Sequence, residues 1–364
     1  MNTSVIAVVL IFAVAFLVMG IEIAHQRMTT GAVDMKAARR WFYRTVGAAL
    51  VLLAGLAVLD YVQYGGAREA LFAAQAGSEA AKRHDPDTAI TLYNKAIGAS
   101  TLDSDTQAEV IKARGMARLQ KQDWDGAVTD FTDVAKRRVD DPEAYFGLGL
   151  ARSGQGNDEA ALHELDRAIN LNRNPDDILP DVFAARGDTY LTLGQYQRGI
   201  QDFDEALRRR PTDAGAHGGR GEAYFYLGQF DKAEADLAAA VKGDGKMAYY
   251  ALWLSLAQSH QSKDGKTALA QNASGIDLKT WPGPVIDFYL GKVTADQLAS
   301  AVQAGDAKTQ HDQQCEVNFY LGEHALLTGD KDEGKRLLGE AVNNCDHRFI
   351  EYMGAKAELA RLAG

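Results

Sequence analysis

The sequence predicts an all-α protein in which helical hairpins stack into a solenoid, preceded by two N-terminal transmembrane helices. Three observations support this prediction. A pattern of small and apolar residues recurs along the middle of the 364-residue chain. Glycine and proline recur where the helices of each hairpin should end or begin. Two uninterrupted apolar runs lie within the first 64 residues.

The central repeat is defined by small side chains at fixed positions. When its glycine is numbered position 8, positions 20 and 27 are small and position 24 is apolar, with Val134 as the larger exception at position 27. The clearest copies are Gly115-Ala127-Phe131-Val134, Gly149-Ala161-Leu165-Ala168, Gly187-Gly199-Phe203-Ala206 and Gly221-Ala233-Leu237-Ala240, with a weaker copy at Gly77-Ala89-Tyr93-Ala96. Self-similarity at a period near 34 residues predicts stacked helical hairpins. Small side chains let the paired helices approach closely.

Two further regularities support this register. Gly156, Gly194 and Gly228 follow the first helices, where a residue that tolerates positive φ ends a helix cleanly. Three arginines at position 7 are each followed sixteen residues later by an aspartate: Arg114 and Asp130, Arg186 and Asp202, Arg220 and Asp236. Because positions 7 and 23 face each other across one hairpin, these residues predict structural ion pairs, each contributing about 0–1 kcal/mol when partly exposed.

By these residues the chain resembles the tetratricopeptide repeat (TPR) family over about residues 70–242. The resemblance implies that the first helices line a groove that binds partner proteins. Its groove positions 5, 9 and 13 carry over to Lys112, Met116, Gln120, Phe146, Leu150, Asp188, Glu222 and Tyr226. Aromatic and apolar side chains with scattered charge suit an extended peptide or a partner helix. The alternative is that the chain's own neighbouring segments fill the groove.

The C-terminal third departs from the regular period. Its apolar helix at 249–256, the segment WPGPVIDFYLG at 281–291, a hairpin between the two cysteines and an amphipathic closing helix at 348–362 resemble NlpI-type TPR lipoproteins of Gram-negative envelopes. That resemblance implies a non-catalytic adaptor that brings envelope hydrolases and a protease together and tends to dimerise, so a homo-oligomer is expected as a possible state of this chain. The chain differs from those proteins because no lipidated cysteine lies near its start.

The first 64 residues predict a hairpin membrane anchor. Residues 5–21 and 46–62 are the two predicted spans, and aromatic residues flank the second one. Residues 1–64 contain five Lys/Arg and three Asp/Glu, and the basic residues concentrate between the runs. Because short basic loops stay cytoplasmic, we expect both termini and the repeats to face the periplasm of a bacterial inner membrane. The predicted domains are the anchor 1–64, the repeat array 65–246 and the degenerate repeats with a capping helix, 247–364.

Cys315 and Cys345 are the two cysteines of the chain. In the last predicted hairpin they occupy positions 1 and 31, where the start of one helix lies beside the end of the other. A disulfide between them is the favoured prediction, since the external topology permits oxidation. Two free thiols, or a metal site with His311 and His347, are the alternatives that the sequence leaves open.

The sequence predicts neither a catalytic site nor a cofactor or metal site. Gly265-Lys266-Thr267 lacks the earlier glycine of a phosphate-binding loop, and no nucleophile or zinc-protease motif occurs. The formal net charge of −10 disfavours nucleic-acid partners. We therefore expect a non-enzymatic, membrane-anchored periplasmic adaptor or scaffold. The alternatives are a fixed subunit of a larger membrane complex and an enzyme, for which the sequence suggests no substrate.

Overall fold

The computed structural model describes residues 14, 16, 18–23, 25–29, 35–99, 101–172, 179–244, 248–302 and 306–363. All regular secondary structure in these ranges is helical. The chain divides into two compact units, Met1–Ala117 and Arg118–Gly364. The all-α prediction is therefore confirmed for the described residues.

The first unit consists of helical residues within 18–29, a long helix α1, a helix α2 and most of α3. These three helices are α1 (Met35–Lys82), α2 (Pro86–Gly98) and α3 (Ser104–Gln120). Helices α1 and α2 pack as an antiparallel hairpin around Tyr93 and a set of buried alanines. Asp85 begins α2, because its carboxylate accepts a hydrogen bond from the Thr88 amide and Pro86 follows it.

The predicted membrane spans fall in this unit. Residues 5–21 lie largely outside the described residues, whereas 46–62 lie within α1, which runs unbroken through the predicted domain boundary at residue 64. Over the part of the chain that the structure describes, no helix combines the length and the apolar character needed to cross a bilayer.

The second unit is a series of helical hairpins. Its helices are α4 (Trp124–Arg137), α5 (Pro142–Gly154), α6 (Asp158–Leu171), α7 (Pro180–Thr192), α8 (Tyr196–Arg209), α9 (Ala214–Tyr226), α10 (Phe230–Gly243), α11 (Ala248–His260), α12 (Gly265–Asn272), α13 (Gly283–Tyr289), α14 (Ala295–Ala301), α15 (Ala307–Thr328), α16 (Lys331–Asn344) and α17 (Ile350–Ala363). The pairs α5–α6, α7–α8, α9–α10 and α15–α16 form antiparallel hairpins. The last helix, α17, packs against α9, α15 and α16.

Glycines at position 8 permit the close approach within each hairpin. A Cβ atom at Gly221 would lie 2.8 Å from Cγ of Leu237, and one at Gly187 would lie 2.9 Å from the Phe203 ring. The same relation holds in the last hairpin, where a Cβ at Gly322 would lie 2.9 Å from Cγ of Leu338. In each case the partner is sixteen residues later, at position 24 of the repeat. The larger side chain of the second helix therefore packs on the bare backbone of the first helix.

The helix ends follow the chemistry of the sequence. Asp141 and Asp213 accept hydrogen bonds from amides in the first turns of α5 and α9. Gly156, Gly194 and Gly228 have φ of 75°, 72° and 71°, where an L side chain would be strained. The predicted Gly stops are therefore present at the ends of the first helices.

The C-terminal region contains both regular and irregular elements. Trp253 of α11, together with Phe319 and Tyr320 of α15, is fully buried in the core of the second unit. Thr294 and Gln297 form the predicted capping box at the start of α14. The small residue Gly354 lets α17 pack closely, because a Cβ there would lie 2.8 Å from both Trp253 and Phe319.

Cys315 and Cys345 form a disulfide, with their Cα atoms 5.2 Å apart. The bond joins the first half of α15 to the residue after α16 and so closes the hairpin. The disulfide prediction is confirmed, and the alternatives of free thiols or a cysteine metal site are wrong, because neither sulfur is available as a thiolate.

Replacing Gly221 by Ala should destabilise the second unit by about 1–3 kcal/mol, because the new methyl group has to displace Leu237. Gly339→Ala is the matched control. Gly339 also lies inside a helix, but a Cβ there meets nothing within 4 Å. That substitution should stabilise by about 0.5–1 kcal/mol. Urea unfolding monitored by circular dichroism measures both values. Equal effects of the two substitutions would contradict the close-approach account.

Removing the disulfide should lower the free energy of unfolding by about 3–4 kcal/mol, since it closes a loop of 30 residues. The measurement compares the melting temperature of the oxidised protein with that of Cys315→Ser/Cys345→Ser. Reductant should lower the melting temperature of the wild type and leave that of the double variant unchanged. An unchanged wild-type melting temperature under complete reduction would refute the stabilising role.

Candidate functional site

The candidate site lies on the surface formed by the first helices α5, α7 and α9, called the first-helix face below. In the repeat, position 9 follows the glycine that packs against the second helix. Position 9 is Asp188 in α7 and Glu222 in α9. A step of one residue turns the helix by about 100°, so position 9 points away from the hairpin contact. The packing that fixes Gly187 and Gly221 therefore places an acidic side chain of α7 and one of α9 on this face.

Asp188 and Glu222 line one pocket of about 200 Å³. Its remaining lining residues are Ser153, Leu191 and Thr192 from the first helices and Arg348, Ile350 and Met353 from the C-terminal segment. The pocket therefore combines two carboxylates with apolar and hydroxyl side chains. Such a mixture suits a polar side chain of a partner with an aliphatic stem.

The two carboxylates lack compensation by positive charge. Among the described residues, neither carboxylate has a hydrogen bond or an ion pair. Burial is the main cause that raises the pKa of Asp188 to about 7, and the negative charge of Asp213 is a smaller one. Burial is also the main cause that raises the pKa of Glu222 to about 8, with a smaller contribution from the negative charge of Asp188. Asp188 is exposed to solvent, whereas Glu222 is half-buried. Solvent screening therefore reduces the pKa shift of Asp188 more than that of Glu222.

The one cation that lines this pocket is engaged elsewhere. The Arg348 guanidinium donates to both carboxylate oxygens of Asp346, at 2.9 Å and 2.6 Å, and to the Gly154 carbonyl at 2.6 Å. Asp346 thus neutralises Arg348, and the negative charge of Asp188 and Glu222 remains. The pocket therefore favours a positively charged ligand group.

The C-terminal segment occupies the neighbouring part of the first-helix face. The Tyr226 hydroxyl donates to the Ile350 carbonyl at 3.2 Å, and the Tyr226 ring lies 5.1 Å from that of Tyr196. Arg361 of α17 donates to the carbonyls of Phe225 and Tyr226, at 3.1 Å and 3.0 Å. Tyr226 is only 4% exposed. The expectation that Tyr226 is open to a partner is wrong, because the chain's own helix covers it.

The other predicted groove residues do not share the acidic pocket. Phe146 is half-buried in a smaller pocket of about 130 Å³, together with Pro142 and Val182. Leu150 is half-buried in α5, and Gln120 is exposed at the end of α3. Lys112 and Met116 belong to the first unit, where Lys112 pairs with Glu109 at 3.3 Å and Met116 is 44% exposed.

The position-7 arginines make more contacts than the sequence predicts. Arg186 donates two hydrogen bonds of 2.7 Å to Asp202 and a third of 2.7 Å to Asp166, in the preceding hairpin. Arg220 does the same with Asp236, at 2.7 Å, and with Asp204, at 2.6 Å. Burial raises the pKa of Asp202, although the hydrogen bonds from Arg186 oppose this shift. These pairs join consecutive hairpins and do not line the pocket.

In the first copy of the arginine pattern, Arg114 and Asp130 each have a partner within their own unit. Arg114 donates to the side-chain oxygen of Asn94 at 2.6 Å. Asp130 forms an ion pair with Arg118, with 2.9 Å between Oδ1 and Nη1. Arg114 and Asp130 belong to different units, so their pairing stays a prediction.

Sequence reasoning missed the buried acids that surround α17. Glu316 accepts hydrogen bonds from Tyr249 at 2.9 Å and from Trp281 at 2.8 Å, and Glu351 accepts one from Tyr320 at 3.0 Å. Burial raises the pKa of Glu316 to about 7 and that of Glu351 well above its usual range. The partners are 31 to 67 residues apart in sequence, so no local motif marks them.

The comparisons with known proteins identify the repeat. A family model described as tetratricopeptide repeat matches residues 112–177, 184–248 and 220–271. These ranges include Asp188 and Glu222.

Solved structures of the same repeat class resemble parts of the chain. A thermophilic TPR protein of Thermus thermophilus is 20% identical, covers 52% of this chain and 98% of its own, and gives a TM-score of 0.43. A TPR protein of Parabacteroides merdae is 11% identical over 80% of this chain and 98% of its own, with a TM-score of 0.46. YrrB, described as having an unusual peptide-binding site, is 18% identical over 49% of this chain and 88% of its own, with a TM-score of 0.37.

Proposed function

Because residues 112–177 and 184–271 match the tetratricopeptide-repeat model, we propose that this chain is a non-enzymatic adaptor whose first-helix face binds a segment of another protein. The observation that carries this proposal is the pocket in which Asp188 and Glu222 lie without a charge partner among the described residues. A lysine or arginine of the partner segment supplies the missing charge. The aliphatic stem of that side chain packs on Leu191 and Met353.

The covered part of the first-helix face limits how a partner binds. The segment 348–353 borders the acidic pocket, and α17 blocks the surface at Tyr226. From the acidic pocket, a partner segment therefore runs along α7 and α5 toward Phe146. It does not run along α9 toward Tyr226, where α17 covers the surface. This direction places an apolar residue of the partner near the Phe146 pocket and its cationic residue at Asp188 and Glu222.

The proposed location rests on the sequence of the first 64 residues. Residues 5–21 and 46–62 form a hairpin anchor in a bacterial inner membrane, with the basic stretch between them in the cytoplasm and the repeats in the periplasm. The disulfide agrees with an oxidising compartment. The partners there would be cell-envelope hydrolases or proteases. The alternative, a permanent subunit of a larger membrane complex, would appear as a stoichiometric assembly after mild solubilisation.

The binding proposal is tested with peptides selected from a displayed random library on the full chain. Selected peptides should contain Lys or Arg, and their affinity should fall at least about tenfold for Asp188→Asn/Glu222→Gln, since charge-assisted contacts are lost. The matched control is Glu159→Gln/Asp231→Asn, which removes the same charge from exposed sites on second helices. Its affinity should equal that of the wild type.

Binding should also depend on pH in a defined direction. Both carboxyl groups gain negative charge as pH rises through about 7 to 8, while lysine stays protonated. The Kd from fluorescence anisotropy should therefore decrease between pH 6 and pH 8.5, and the double variant should lose most of this dependence. Selected peptides without basic residues, or equal losses in the control variant, would overturn the proposed site.

The topology is tested with reporter fusions. Alkaline phosphatase fused after Gly364 should be active, because this enzyme needs export and oxidation, whereas green fluorescent protein at that position should be dark. A fusion after Lys36 should show the opposite pattern. An inactive phosphatase at the C-terminus would refute the periplasmic location without affecting the binding proposal.

A further inference from the structure

A second cluster of chemically active side chains lies where α11, α15 and α17 meet. It consists of His260 at the end of α11, Glu323 of α15 and Glu358 of α17, and their ligand atoms all lie within 4.8 Å of one another. The His260 Nε2 atom is 2.8 Å from Oε2 of Glu323 and 3.6 Å from Oε1 of Glu358. The side chains are 15%, 0% and 4% exposed.

Two of the three separations between these atoms are close to those of a metal coordination shell. A tetrahedral zinc ion with bonds of about 2.0–2.1 Å holds neighbouring ligand atoms about 3.3 Å apart. The observed 2.8 Å and 3.6 Å lie on either side of this value. Small rotations of the two carboxylates would therefore complete the geometry.

The charges of the cluster are incompletely balanced. Oε1 of Glu323 is buried and has no hydrogen-bond partner within the described part of the chain. Arg361 is in ion-pair contact with Glu358. Its Nη1 atom is already bound to the carbonyls of Phe225 and Tyr226. Arg361 thus contacts one of the two buried carboxylates, that of Glu358, and burying an uncompensated carboxylate is costly.

The imidazole is held in a fixed orientation. The His260 ring stacks on Phe230, with ring centroids 4.3 Å apart and planes at 6°, and meets the edge of Phe225 at 5.4 Å. This packing restricts the ring, so that Nε2 faces the two carboxylates. A ligand held in place by packing is pre-organised for a metal ion.

We propose that His260, Glu323 and Glu358 form a binding site for a divalent transition-metal ion of the Zn²⁺ class. One imidazole with two carboxylates favours such an ion over Mg²⁺ or Ca²⁺, which prefer all-oxygen sites. Arg361 then supports Glu358 from outside the coordination shell. The ion joins three helices and holds α17 on the repeats. The proposal is independent of peptide binding at the acidic pocket, and it replaces the expectation that the chain has no metal site.

The test uses the full-length protein after dialysis against a chelator. Competition with a chromogenic zinc chelator should show one Zn²⁺ per chain, and zinc should raise the melting temperature. Glu323→Gln and His260→Gln should each weaken binding at least about a hundredfold. His347→Gln is the matched control. Its Nε2 lies 3.3 Å from Asp158 and its Nδ1 lies 3.5 Å from Asp346, so in the described part of the chain three ligand atoms do not converge at His347. It should bind zinc like the wild type.

A direct measurement covers the possibility that a substitution disturbs folding. X-ray absorption of the zinc-loaded wild type should show one imidazole nitrogen and oxygen ligands, without sulfur. Absence of stoichiometric binding, or equal affinity in the wild type, Glu323→Gln and His260→Gln, would overturn the proposal. The cluster would then be a polar network in which His260 contacts the carboxylates of Glu323 and Glu358 without a metal ion.

Discussion

The contact between a glycine of the first helix and the side chain sixteen residues later determines how each hairpin packs. At Gly149, Gly187 and Gly221 the missing Cβ leaves space for a leucine or phenylalanine of the second helix. A larger residue would force the helices apart. Since position 8 must face the second helix, the rotation of the whole first helix is set. Position 9 is therefore turned about 100° away from the hairpin contact, and in α7 and α9 its residues Asp188 and Glu222 line the acidic pocket.

Arginines at position 7 extend this order from one hairpin to the next. Arg186 binds Asp202 within its hairpin and Asp166 before it, and Arg220 repeats the arrangement with Asp236 and Asp204. One guanidinium therefore donates hydrogen bonds to two consecutive hairpins, because this planar group carries several N–H donors. The carboxylates at position 23 are buried, so loss of the arginine would leave a buried charge unpaired. This makes the arginines contributors to the stacking geometry rather than to ligand binding.

The sequence predicts those parts of the structure that repeat. The positions of Gly187, Gly221 and their partners recur at a fixed spacing, so the hairpins, their caps and the Arg–Asp pairs within a hairpin follow from periodicity. The disulfide follows from the place of the two cysteines in the last hairpin. The position of α17 does not follow, because Tyr226 meets Ile350 across 124 residues and Phe225 meets Arg361 across 136. A contact formed once has no period, and single-sequence reasoning has no means of detecting it.

The same distinction explains which site residues were predicted. Asp188 and Glu222 occupy a repeat position, so family resemblance identified them, and the structure brings them into one pocket. Tyr226 occupies an equivalent type of position, yet α17 covers it. His260, Glu323 and Glu358 come from three helices whose only relation is the fold. The closing helix thus has two effects: it removes part of the first-helix face from use, and it supplies one wall of the pocket that remains. Any change that loosens α17 would therefore alter the acidic pocket through Ile350 and Met353, even though Asp188 and Glu222 stay in their own helices.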